Sequence, residues 1–205
     1  MTEGGSSLLP QLTQSFVELG RQCPIKTQDF TDACGAVIPI FDHIGSVFVI
    51  AKHEFSSKRE SLVALAPTMT TLSDVVEAGR KDGSIMIKGS PGRNLHRLMN
   101  SILFISHIFQ NLEKGMLLRE AVSDAYDATL AQIHTWVVRA GIKAGMIALP
   151  TRENFLKSLG ETEETARQHA HSFVDAARLV VAHIEELYDG VAMPRSDFSI
   201  SALWS

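Results

Sequence analysis

Apolar positions recur along most of this chain at intervals of three and four residues, the spacing of helices that bury one face. The strongest run is 90–112, where Leu95, Leu98, Met99, Ile102, Leu103, Phe104, Ile105, Ile108, Phe109 and Leu112 cover most of the circumference. A helix that apolar is buried on more than one side. Ser90 suits its N-cap and Pro91 its first turn. Around it the pattern predicts helices over 8–20, stopped by Gly20, and from Thr27 through Ile40, with Asp29 in the first turn and Pro39 expected to kink or break it. Residues 41–51, FDHIGSVFVIA, are rich enough in Val and Ile for a strand, but their length and surroundings favour a buried helix with a close approach at Gly45. Further helices follow over 54–66, ending before Pro67, and over 68–78. Residues 119–146 read as one long helix or two end to end, with Tyr126, Leu130, Ile133, Trp136, Val137, Ile142 and Met146 as the apolar set. Thr151 caps a short helix closed by Gly160, and 161–188 form a last long one with acids at its start. No hairpin signal, βαβ alternation or repeat interrupts the series. The expectation is a single all-α domain of about eight helices over 8–190, after a disordered 1–7 and before a tail, 191–205, whose Phe198, Ile200, Leu203 and Trp204 pack back onto it.

The central helix carries an electrostatic oddity. Arg93 and Arg97 stand one turn apart on one face, and Phe104 and Ile108 fall within about 60° of them at 100° per residue. Two guanidiniums repel each other by a few tenths of a kcal/mol and also meet the positive end of the helix dipole. Either their heads reach water at little cost, or an anion is bound there, since helix N-termini and arginine forks both suit phosphate. An anion resting above an apolar stripe describes the head and tail of a phosphorylated lipid.

Charge narrows the field. The formal net charge is −4 and no basic block appears, which argues against a nucleic-acid partner and makes any anion site local. Two cysteines, Cys23 and Cys34, without CxxC spacing are expected to be reduced and structural. The N-terminal segment has neither a basic flank nor a long apolar stretch, and no uninterrupted apolar run reaches the ~18 residues of a membrane span, so a cytoplasmic location is expected.

Enzyme signatures are missing. There is no GxSxG elbow, phosphate loop or strand-anchored GxGxxG, and no cofactor is expected. His169 and His171 point about 200° apart on a helix, so no metal site is expected. Cys34 reads as a buried structural thiol rather than a nucleophile. Glu54 and Lys58 have the spacing of a plain surface pair, and His134, beside Trp136 in IHTWVVRA, that of a satisfied core histidine. Neither carries an argument alone.

In order, FDHIGSVF at 41–48, EFSSKRESL at 54–62, RNLHRL at 93–98, HTWVVRA at 134–140 and ALPTRENFL at 148–156 resemble the glycolipid transfer protein family, over about 35–190. The resemblance implies a two-layer helical sandwich enclosing a hydrophobic lipid pocket. The glycolipid branch of that family places a tryptophan in the central helix. Residues 90–112 have none and carry Arg93-x-x-x-Arg97 instead, similar to the ceramide-1-phosphate branch with its plant accelerated-cell-death-type members. By this resemblance Arg93, Arg97 and Lys58 hold phosphate, and His134 donates to the ceramide carbonyl. Glu54 stands where the family has an aspartate that accepts from the ceramide amide and hydroxyl; Asp42 belongs to another family position. Trp136 and Lys88 are candidates for the pocket rim or a membrane contact. The function implied is a soluble, monomeric carrier that moves a phosphorylated sphingolipid between membranes without chemistry, touching their surfaces transiently. The alternative is a lipid sensor of the same fold, poor at transfer because Glu54 replaces the aspartate.

Overall fold

The computed structural model describes residues 8–193. The expectations placed on 1–7 and on the tail beyond 193 lie outside the described residues. Within them there are nine α-helices: α1 (Leu8–Gly20), α2 (Thr27–Ile44), α3 (Val49–Val63), α4 (Leu72–Lys81), α5 (Pro91–Glu113), α6 (Leu118–Ala128), α7 (Trp136–Gly145), α8 (Arg152–Ser158) and α9 (Glu163–Leu187). Three short 3₁₀ turns, Ser46–Phe48, Leu130–Gln132 and Met146–Ala148, join them.

α5 is the axis of the fold. It packs against α3, α6 and α9; α1 closes on α9 and α2, and α2 on α3. The expected all-α sandwich results. Two aromatic groups mark its interior. Toward the C-terminal half of α5, Phe109 meets Phe173 edge-on at 5.7 Å and Phe155 at 6.2 Å, and Phe16 meets Phe173 at 5.2 Å. Nearer the middle, Phe48 stacks on Phe104 at 5.6 Å, and Phe104 faces the edge of Tyr126 at 6.5 Å. Arg152 locks one end of the assembly. Its Nη1 donates to the carbonyls of Leu112 and Met116, at 2.7 and 3.0 Å, completing the exposed end of α5. Its Nε and Nη2 fork onto Glu163 at 2.8 and 2.6 Å.

The boundaries correct one expectation and refine two. Pro39 does not end its helix: α2 continues to Ile44, because Ile40, Phe41 and Ile44 beyond the proline are all buried. The break falls instead at Gly45, whose φ of 142° is open to glycine alone and turns the chain into α3. FDHIGSVFVIA is therefore helical, but as the end of one helix, a 3₁₀ turn and the start of the next. The segment 119–146 is two helices separated by a turn. Thr129 Oγ1 bonds back to the Ala125 carbonyl at 2.6 Å, and Thr135 caps α7 by accepting from the Val138 N–H at 3.4 Å. α7 buries none of its residues, so Trp136 and Val137 are not core. It is nonetheless seated: a Cβ on Gly145 would lie 2.1 Å from Val47 Cγ2, so only glycine lets the end of α7 close on the α2–α3 corner.

Candidate functional site

The site grows from the first turn of α5. Ser90 Oγ accepts from the Arg93 N–H at 3.3 Å, fixing where the helix begins. Arg93 and Arg97 then fall into its first two turns, only 6% and 4% exposed. Those values decide between the two readings of the arginine pair: the side chains do not stretch into open water. Arg93 Nη1 donates to the Met86 carbonyl in the α4–α5 connection. Arg97 Nη1 lies 3.2 Å from His96 Nδ1. Behind them the Tyr188 hydroxyl donates to the Gly92 carbonyl, and its ring meets His96 edge-on at 5.2 Å. Burial pushes that phenol well above its usual range, so it stays a donor.

α3 supplies the facing wall. Lys58 Nζ sits 2.5 Å from Glu54 Oε2; the lysine side chain is 19% exposed and the glutamate 65%. The Lys58 hydrogen bond holds the Glu54 carboxyl below its ordinary pKa, against a smaller desolvation effect, and the charges of Lys58, His53 and Lys88 push the same way. Lys88 is exposed in the α4–α5 connection. Asn94 Nδ2 fastens the two walls, donating to Ser61 Oγ at 2.8 Å, while Ser61 Oγ donates to the Lys58 carbonyl at 2.7 Å.

From Arg97 the same face of α5 reaches Phe104 two turns on, roughly 10 Å along the axis. There the surroundings become hydrocarbon: Phe48, Phe104 and Ile108 are buried and fill the interior. Tyr126 joins this group and reaches His134, its hydroxyl 2.9 Å from His134 Nδ1. Burial raises the Tyr126 hydroxyl to about 12, so it keeps its proton. His134 lies in the turn between α6 and α7 rather than in an apolar helix, which corrects the setting expected for it.

The structure therefore pairs Glu54 with Lys58 on α3, ties that helix to the arginine-bearing turn of α5 through Asn94 and Ser61, and places His134, half-buried, beyond the Tyr126–Phe104 contact. Trp136 stands apart at the start of α7, 74% exposed, on a surface that also shows Val137, Val138 and, on the neighbouring turn, Ile147. Sequence reasoning missed Asn94, Ser61 and Tyr126. Asn94 had a signal, a polar residue in a face that must be buried; Ser61 and Tyr126 had none. His169 and His171 turn to different carboxylates, Glu161 at 3.1 Å and Glu113 at 3.4 Å. Among the described residues no helix is long and apolar enough to cross a membrane.

Comparison with known proteins places this geometry. Residues 25–161 match the family described as glycolipid transfer protein (GLTP). The "ACD11 homolog protein" of Arabidopsis thaliana is 31% identical over 166 residues, covering 80% of this chain and 72% of the relative. A crystal structure of a point mutant of Arabidopsis ACD11 (accelerated-cell-death 11), complexed with C12 ceramide-1-phosphate, is similar at a TM-score of 0.86 with 23% identity, covering 92% of this chain and 98% of that one. Human ceramide-1-phosphate transfer protein, in complex with 12:0 ceramide-1-phosphate, gives a TM-score of 0.77 with 19% identity over 87% of this chain and 94% of that one.

Proposed function

The chain belongs to the glycolipid transfer protein family, and on that premise we propose that it carries a phosphorylated sphingolipid, ceramide-1-phosphate or a close analogue, between membranes and releases it unchanged. The observation that supports this most is the burial of two guanidiniums at the start of an apolar helix. Helix N-termini and arginine forks both suit phosphate, and a phosphomonoester supplies up to two charges and several acceptor oxygens.

In this reading Arg93 and Arg97 grip the phosphate and Lys58 closes over it. Glu54 accepts from the sphingoid amide and hydroxyl. With Tyr126 donating to Nδ1, His134 carries its proton on Nε2, the form that donates to the ceramide carbonyl. The hydrocarbon chains enter by parting the Phe48–Phe104–Tyr126 contacts. The protein acts as a monomer on the membrane surface, and the exposed Trp136, Val137 and Ile147 lie in the interface during exchange, where tryptophan is favoured. No bond of the cargo is broken. The sensor alternative is not favoured, because the solved relatives that bind ceramide-1-phosphate include a transfer protein.

The test is vesicle-to-vesicle transfer of labelled ceramide-1-phosphate, with the wild-type cargo recovered and weighed by mass spectrometry. Intact lipid moved by the wild type and left behind by Arg97→Ala is the expected result. Transfer unaffected by that substitution, or cleaved lipid, overturns the proposal.

A further inference from the structure

The phosphate grip has a support behind it. We infer that His96 is a positioning residue of this site: its neutral imidazole aims the Arg97 guanidinium and draws it off the line of Arg93. The inference rests on the carrier reading above and deepens it, because it concerns how the headgroup is selected.

Residues 93 and 97 share one face of α5, whereas the side chains of His96 and Arg97 leave the helix about 100° apart. Arg97 Nη1 nevertheless lies 3.2 Å from His96 Nδ1. The guanidinium has therefore turned out of its own row toward the imidazole. Arg93 Nη1 is anchored elsewhere, on the Met86 carbonyl. Two separate acceptors thus fix the spacing of two like charges.

The protonation of His96 follows from its neighbours. Asn100 Nδ2, one turn on, donates to the His96 carbonyl at 2.8 Å and also lies 3.3 Å from His96 Nδ1. The bond to the carbonyl settles which end of the amide is nitrogen. Amide and guanidinium nitrogens only donate, so Nδ1 presents its lone pair, the ring proton sits on Nε2, and the imidazole is neutral. A neutral acceptor suits the place. A carboxylate would orient Arg97 equally well, but it would cancel the charge and compete with phosphate for the fork. A lone-pair nitrogen orients the fork and leaves its charge for the cargo.

The imidazole is itself held. The Tyr188 ring meets it edge-on at 5.2 Å, and the Tyr188 hydroxyl donates to the Gly92 carbonyl one turn earlier. Arg80 Nη2 donates to the Leu187 and Asp189 carbonyls at 2.9 and 2.6 Å, which ties the residues on either side of Tyr188 to α4. A line of contacts therefore runs from α4 through the end of α9 to the Arg97 guanidinium. A fork set in this way loses less freedom when phosphate arrives.

The experiment uses two variants with opposite defects. His96→Phe keeps a ring against Tyr188 and removes the acceptor; His96→Asn loses the ring and keeps an acceptor oxygen at the Nδ1 position. Binding of short-chain ceramide-1-phosphate and of short-chain ceramide is measured by titration calorimetry, with thermal unfolding alongside. His96→Phe is expected to bind the phosphorylated lipid roughly 5- to 10-fold more weakly than wild type, His96→Asn within about threefold of it, and both to bind plain ceramide as wild type does. Nitrogen NMR of the wild-type imidazole is expected to show Nδ1 without a proton. If His96→Phe does not fold, His96→Gln, whose acceptor falls at the Nε2 position instead, takes its place under the same criterion. Full affinity in the variant lacking the Nδ1 acceptor, an equal loss in His96→Asn, an equal loss for plain ceramide, or a proton on Nδ1 each overturns the assignment. Failure of the wild type to bind the phosphorylated lipid overturns the carrier reading instead, so the two failures are distinguishable.

Discussion

Replacing Arg97 by methionine separates its charge from its packing. The residue is 4% exposed, so its aliphatic stem already lies among neighbours and a methionine of similar length refills most of that space. What disappears is a buried guanidinium. Each charge-assisted hydrogen bond to phosphate is worth about 1.5–3 kcal/mol, so one lost bond weakens binding roughly 10- to 150-fold. The fold should lose less than the binding does, because the methionine keeps the packing of the arginine stem. Titration calorimetry with short-chain ceramide-1-phosphate reads the first quantity and thermal unfolding the second. Short-chain ceramide without phosphate is the control and should bind the two proteins alike. Acid should narrow the difference, since a phosphomonoester loses its second charge below a pH of about 6. Affinity for the phosphorylated lipid within about threefold of wild type, in a folded variant, would refute the reasoning; so would an equal loss for plain ceramide, which would make packing the cause.

Glu54→Gln removes the charge that Lys58 meets at 2.5 Å and weakens the acceptor for the sphingoid amide and hydroxyl, so affinity for the phosphorylated lipid should fall several-fold with almost no change in melting temperature, as read by the same two methods. Because the Glu54 carboxyl is held below its ordinary value, the small stability it contributes is present above the ordinary carboxylate range and is lost as pH falls through the depressed pKa; acid unfolding of Glu54→Gln should lack that component. Arg152→Met removes the fork on Glu163 and two carbonyl caps and should cost about 2–3 kcal/mol, a drop of roughly 4–12 °C by scanning calorimetry. Gly145→Ala favours helix by propensity yet places a methyl 2.1 Å from Val47 Cγ2; it should destabilise by about 1–3 kcal/mol, and Val47→Ala should restore most of that loss in a double-mutant cycle.

The parts of this protein legible in its sequence are those set by local rules. Ser90 and Pro91 located the start of α5 because capping is decided within one turn, and the apolar circumference of that helix announced its central place. Arg93 and Arg97 stood out because two cations in a buried helix need a reason. Legibility ended where tertiary contacts decide. Trp136 and Val137 fit the apolar spacing of 119–146, yet the caps at Thr129 and Thr135 restart the helix and leave both exposed. Periodicity records which residues are apolar, not whether a neighbour arrives to cover them. Pro39 carried the stronger break signal, but buried side chains held its helix together and the turn passed to Gly45. The Met86 carbonyl as a partner of Arg93 had no sequence signal at all, since any residue offers a carbonyl.

The energetics also assign separate duties to the two ends of the site. Measured from water, each buried methylene of a lipid chain gains about 0.8 kcal/mol. A carrier, however, takes its cargo from a bilayer, and hydrocarbon is about as well solvated among lipid tails as among leucines. The chain term therefore nearly cancels at the moment of uptake, and displacing the Phe48–Phe104 stack adds a cost. Selection must fall on the headgroup, which leaves a hydrated interface for a site of buried cations. There the balance turns on whether phosphate oxygens find donors already in place. Arg93 and Arg97 are held by the Met86 carbonyl and His96, so part of the ordering cost was met when the protein folded. A headgroup without phosphate would offer Arg93 and Arg97 no charge-assisted acceptors, and the absence of that gain, rather than any gain from the chains, is what disfavours it.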